Sequence, residues 1–140
     1  MVNQEPFNNA RQILLDVFGY TRFREGQEQV ISELCAGHDA LVVMPTGGGK
    51  SLCFQIPALV RPGICFVISP LISLMKDQVD TLRACGVAAA YLNSSLSYAQ
   101  QNQIINEMHR GVLKIVYIAP ERLLRPDFMV IQSSPVSRVL

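Results

Sequence analysis

Thr46, Gly47, Gly48, Gly49, Lys50 and Ser51 place three glycines, an ammonium and two hydroxyls in six consecutive positions. That set suits polyphosphate chemistry. A triphosphate carries several negative charges, and backbone N–H groups can meet them only where no side chain intrudes. The three glycines give that clearance and can take a positive φ. Successive N–H groups then form a concave anion nest at the start of the following helix. Lys50 would reach the β- and γ-phosphates as a point charge. The Ser51 hydroxyl would be one ligand of Mg²⁺, whose other positions go to water and phosphate oxygens. The strict pattern G-x-x-x-x-G-K-[ST] fails at its first position, which is Met44. The context the pattern requires is nevertheless present: an apolar run leads straight into the loop, and a helix follows it. The alternative is a glycine-rich surface turn with an incidental lysine.

The elements that must hold this loop can be read in order. Asn8 or Asn9 can cap a first helix, with Ile13, Leu14, Val17 and Phe18 on one face and Gly19 at its end. Residues 18–27 mix aromatics, arginines and an amide outside any period, as a turn with aromatics packed on the core would. A second helix follows, with Val30, Ile31 and Leu34 inward and Gly37 as its cap. The five-residue apolar run 40–44 reads as a strand, and 52–59 as the helix that starts on the phosphate. Residues 64–68 form a continuous apolar run, as expected of a strand covered on both faces. A helix over 71–85 turns Leu71, Leu74, Met75, Val79 and Leu82 inward, and residues 87–92 form a third strand. Ser97 and Gln100 make a capping-box signature for a helix running to Arg110. Residues 114–118 form a fourth strand, a short helix is expected around 126–131, and a last strand begins at 136. Strands alternating with helices predict an α/β fold, a parallel sheet with helices on both faces and right-handed crossovers. Ligands of such sheets bind at the carboxyl ends of the strands. Residues 46–51, 69–71 and 119–122 all end strands and are expected along one edge.

The totals set bounds. With 140 residues the chain has the size of one domain, large enough to bury a core. It is 49% hydrophobic and 16% charged, which excludes disorder. The net charge of +1 by itself points to no nucleic-acid, membrane or acidic partner. Cys35, Cys53, Cys65 and Cys85 contain no C-x-x-C pair and sit in apolar stretches. Buried reduced thiols are expected, not a zinc site or disulfide framework. His38 and His109 read as surface polar residues. The start is polar, unlike a signal peptide, and no apolar run nears the ~20 residues needed to span a bilayer. An intracellular, soluble chain is expected.

Four blocks in this order and spacing resemble the RecQ-type DNA helicases of superfamily 2. They are Phe18-Gly19-Tyr20 with Phe23-Arg24-Glu25-Gly26-Gln27; Met44-Pro45-Thr46-Gly47-Gly48-Gly49-Lys50-Ser51; Ser69-Pro70-Leu71-Ile72-Ser73-Leu74-Met75-Lys76-Asp77-Gln78; and Tyr117-Ile118-Ala119-Pro120-Glu121-Arg122-Leu123. The likeness runs from about Phe18 to Glu121, the N-terminal part of the first RecA-like lobe. It accounts for Met44, because this family does not require glycine there. It implies an incomplete P-loop NTPase lobe: residues 1–38 as N-terminal helices with an adenine-recognition segment, and 39–140 as a partial ATP-binding domain. Gln27 would hydrogen-bond the adenine edge, with Tyr20 and Arg24 sandwiching the base. ATP would then be preferred over GTP. Ser69, Pro70, Leu71 and Arg122 would contact the backbone of single-stranded or duplex DNA without reading sequence.

Hydrolysis also needs an acid to hold Mg²⁺ and a group to orient water. In the family these are Asp-Glu-Ala-His, and no Asp-Glu-x-His occurs in the 140 residues. The chain is therefore expected to be a fragment of an ATP-dependent, 3′-to-5′ DNA helicase, cut before that motif and without hydrolysis of its own. Zinc would belong only to domains absent from it. The compartment would be the bacterial cytoplasm, or the nucleus in a eukaryote. Two rival classes stay open: a truncated nucleotide- or DNA-binding module, and a different P-loop enzyme such as a small-molecule kinase.

Overall fold

A computed structural model describes residues 5–45, 49–126 and 137–139. The chain divides into two compact units, 1–62 and 63–140.

In the first unit three helices pack together: α1 (Glu5–Asp16), α2 (Gln27–Cys35) and α3 (Lys50–Val60). Ala10, Leu14, Ile31 and Ile56 are buried at their centre, with Phe7, Ile13, Phe18 and Phe23 packed around them. Removing a side chain such as Ile31 from water stabilises by about 1.5–3 kcal/mol. The aperiodic segment after α1 is tied into this core, since the rings of Phe7 and Phe23 lie 5.9 Å apart. α1 begins at Glu5, so Asn8 and Asn9 lie inside the helix and do not cap it. Its end is the one expected: Gly19 takes φ 76°, and the Tyr20 N–H donates to the Leu14 carbonyl. The Arg61 guanidinium closes the far end by donating to the Leu34 carbonyl at 3.1 Å.

Residues 40–44 do not form the expected strand. Leu41 and Val43 are 95% and 91% exposed. A strand exists by its ladder, and among the described residues no neighbouring strand pairs with this run.

The second unit is a parallel sheet with strand order β2-β3-β1-β4, where β1 is Ile64–Ile68, β2 Ala89–Leu92, β3 Ile115–Ile118 and β4 Ser137–Val139. In register, Phe66 stands opposite Val116 and Ile68 opposite Ile118. Phe66, Leu92, Val116 and Ile118 share one face with Ile105 and Met108 of α5 (Tyr98–His109). On the other face the Tyr117 hydroxyl donates to the Gln78 side chain of α4 (Ile72–Ala84) at 3.1 Å. Helices therefore cover both faces, which is why β1 reads as unbroken apolar sequence. In α4 the buried stripe is Met75, Val79 and Leu82. Leu71 and Leu74, expected inward, are 57% and 45% exposed. They belong to the start of the helix, N-terminal to its first buried residue. The helix expected around 126–131 lies largely outside the described residues; a 3₁₀ helix spans Pro120–Leu124.

The capping box of α5 is present: Ser97 Oγ accepts from the Gln100 N–H, and Gln100 Oε1 accepts from the Ser97 N–H. Ser97→Ala should lower stability by about 1 kcal/mol, read as a shift of the urea midpoint at unchanged slope.

Candidate nucleotide site

Lys50 is the first residue of α3, and Gly49 before it is the cap. Gly49 adopts φ 77° and gives α3 no side-chain cap. Glycine at the cap offers the first-turn N–H groups of α3 no side-chain acceptor of its own, and such a helix start suits an anion. Lys50 is exposed and makes no ion pair among the described residues. Ser51 follows, half-buried. Thr46, Gly47 and Gly48 lie outside the described residues.

Gln27 sits at the start of α2 and is 1% exposed. Its Oε1 accepts from the Arg24 N–H at 2.8 Å, and its Nε2 donates to the Gly49 carbonyl at 3.0 Å. One amide thus joins the aperiodic segment to the cap of α3. Two of the expected adenine contacts, Tyr20 and Arg24, are exposed, as stacking on a base requires. Gln27 is engaged inside the protein, a role its residue type did not reveal. The close approach depends on glycine. A Cβ on Gly49 would clash with Gln27 Nε2, and an alanine there would hold a left-handed backbone at about 1–2 kcal/mol. Gly49→Ala should therefore break the Gln27 contact, lower the melting temperature by several degrees, and remove detectable nucleotide binding in a titration.

Cys53, in the first turns of α3, points its thiol at the Gly49 carbonyl from 3.9 Å. Burial raises its pKa above the ordinary thiol value. Cys35 is raised by burial as well, against a lowering by the nearby Arg61. Both are thiols at neutral pH. Cys53 and Cys65 are buried, Cys35 and Cys85 partly so, and all four are free. No cluster of metal-binding side chains occurs among the described residues. Lys50, Ser51 and the open helix end fit the phosphate part of a Mg²⁺–triphosphate. The acidic metal ligand is not supplied by these residues.

In the second unit, Ser69-Pro70 leaves β1 and Ala119-Pro120 leaves β3 side by side, with the Ser69 N–H donating to the Ile118 carbonyl at 3.1 Å. Ser69 Oγ accepts from the Leu71 N–H, which leaves its proton to donate. Pro70 and Leu71 are exposed beside it. Arg122 differs from expectation. It is 5% exposed and donates from Nε to Gln101 Oε1 at 3.0 Å. Its charge braces the 3₁₀ helix against α5 and is not presented to solvent, so a direct phosphate contact does not fit this geometry.

A parallel sheet with helices on both faces, and in the other unit a helix that begins at Lys50 after the Gly49 cap, are the elements of a RecA-like helicase lobe. The DEAD/DEAH box helicase family model matches residues 24–138, and the chain belongs to that family. It is 56% identical over 119 residues to the ATP-dependent DNA helicase RecQ of Haemophilus influenzae, covering 85% of this chain and 19% of that protein. It is 47% identical over 123 residues to the ATP-dependent DNA helicase RecQ of Bacillus subtilis, covering 87% and 21%. The chain thus spans about a fifth of the length of these curated relatives. Among solved structures, a hypothetical ATP-dependent RNA helicase from Sulfolobus tokodaii superposes with a TM-score of 0.68 at 24% identity, covering 96% of this chain and 40% of that one. At that identity the match speaks for the fold alone. No helix among the described residues is long and apolar enough to cross a membrane.

Proposed function

We propose that these residues are the N-terminal part of the first RecA-like lobe of an ATP-dependent DNA helicase of the RecQ type. The whole protein would couple ATP hydrolysis to 3′-to-5′ unwinding of duplex DNA in repair and recombination. It would work in the bacterial cytoplasm, or in the nucleus of a eukaryote. The observation that carries this reading is the joining of the adenine segment to the phosphate loop through Gln27 and Gly49, in a chain 56% identical to a RecQ helicase.

Each residue has a task. Lys50 and the first N–H groups of α3 bind the phosphates. Thr46, Gly47, Gly48 and Gly49 form the rest of the loop. Tyr20 and Arg24 stack on the adenine, and Gln27 reads its edge, so ATP is favoured over GTP. Ser51 would be the one ligand of Mg²⁺ from this stretch; when bound, the ion neutralises charge building on the phosphates. Ser69, Pro70 and Leu71 meet the DNA backbone, and Arg122 holds the neighbouring turn in place. Zinc has no site in this reading of residues 1–140. Because no Asp-Glu-x-His occurs among them, residues 1–140 alone bind nucleotide without sustained turnover. Turnover by residues 1–140 within tenfold of an intact helicase, abolished by Lys50→Ala, would contradict that.

Direction is tested by strand displacement on duplexes carrying a single-stranded tail on one end. The full-length protein should open duplexes with a 3′ tail, with ATP, and leave 5′-tailed ones closed. Equal opening of both, or opening without nucleotide, would sink the reading.

A further inference from the structure

Among the described residues β2 ends the sheet, with β3 as its neighbour on one side. In a parallel pair, alternate residues turn their peptide groups to opposite sides of the strand. The Ala88 carbonyl accepts from the Lys114 N–H at 2.8 Å, and the Leu92 carbonyl accepts from the Ala119 N–H at 3.1 Å. Residues 88, 90 and 92 therefore face β3, and Ala89 and Tyr91 turn their N–H and C=O groups to the open edge. Such a row is a template for pairing with another chain. This row is also complementary to itself. Two copies run antiparallel about a twofold axis at Ala90 would set Ala89 of each opposite Tyr91 of the other, and each such pair would exchange two N–H···O=C bonds.

One acceptor of that row is already taken. From the last turn of α4, Arg83 donates through Nε to the Ala89 carbonyl at 2.8 Å. The same arginine lines a groove of about 260 Å³ together with Tyr91 of β2 and Gln100, Gln103 and Glu107 of α5. Because α4 and α5 cover opposite faces of the sheet, a groove lined by both crosses its edge, and the guanidinium stands where a second strand would enter. Arg83 is exposed and makes no ion pair among the described residues, so this hydrogen bond is what holds it there. We infer that Arg83 closes the free edge of β2 against a second copy of this chain. The inference goes beyond the nucleotide reading and does not depend on it.

Sedimentation velocity over a range of concentrations compares the full-length protein with its Arg83→Ala variant. The substitution unmasks two carbonyls in a twofold pair, one per copy, so self-association should strengthen by about tenfold or more. Adding Tyr91→Pro to Arg83→Ala removes the N–H that each freed carbonyl would take and costs no bond to β3. Association should then return to the level of the unsubstituted protein. Unchanged association in Arg83→Ala overturns the inference, and a loss of stability in urea without association does so too, since it leaves Arg83 only a local brace. Association that Tyr91→Pro does not reverse also overturns it. A measurement on the unsubstituted protein covers the case of a variant that does not fold. The Arg83 Nε–H, followed by nuclear magnetic resonance after selective labelling, should exchange slowly with water. Exchange as fast as in free arginine would show an open edge and overturn the inference.

Discussion

Lys50→Ala should lower ATP hydrolysis by the full-length protein by about 10²- to 10³-fold, the loss typical when one donor aimed at developing charge is removed. Folding should be untouched. Lys50 is exposed, makes no ion pair among the described residues and is the first residue of its helix, where a positive charge gains nothing from the helix dipole. Alanine there is if anything a better helix former. Hydrolysis at saturating DNA and unfolding in urea, measured on the same preparation, check both halves. A rate within threefold of the unsubstituted protein would remove Lys50 from the phosphate site. A matching loss of stability would mean that the lysine holds the fold instead.

Phe66→Ala should cost about 3–5 kcal/mol, the range for emptying a large buried aromatic site. Phe66 is 0% exposed and lies in β1, between β3 on one side and β4 on the other. It belongs to one buried cluster with Val116 and Ile118 of β3, Ala90 and Leu92 of β2, and Ile105 and Met108 of α5. The strand residues among these neighbours are held by the sheet ladder, so the site cannot fully close. Domains of this size have roughly 5–15 kcal/mol in total, so the substitution should remove a large share of the stability of residues 63–140. Urea unfolding followed by circular dichroism gives the value. Leu124→Ala is the control: that side chain is 82% exposed and should change stability by no more than about 0.5 kcal/mol. A loss below 1 kcal/mol for Phe66→Ala would contradict the burial described here.

Much of this fold was legible because its signals are local. The capping box of α5 needs only Ser97 and Gln100, three positions apart, and both hydrogen bonds form. The apolar run 64–68 is β1 residue for residue. What could not be read depends on partners distant in the chain. Residues 40–44 are as apolar as β1, yet a strand also needs a neighbouring edge, and they have none among the described residues. Leu71 and Leu74 fit a helical stripe, but what lies over a helix's first turn is not written in its period. Arg122 carries a charge that argues for exposure, and Gln101 from another helix buries it. At the candidate site, Gly49, Lys50 and Ser51 followed from residue type and spacing. The link from Gln27 to Gly49 did not, because a glutamine in a helix's first turn is ordinarily a solvated side chain.

We propose that these residues supply the ATP-gripping part of a DNA-driven motor. The most direct measurement is hydrolysis of ATP and of GTP by the full-length protein, side by side, with and without single-stranded DNA. ATP should be hydrolysed well above GTP, and DNA should raise the ATP rate at least tenfold. Equal rates with the two nucleotides, or an ATP rate indifferent to DNA, would contradict the account.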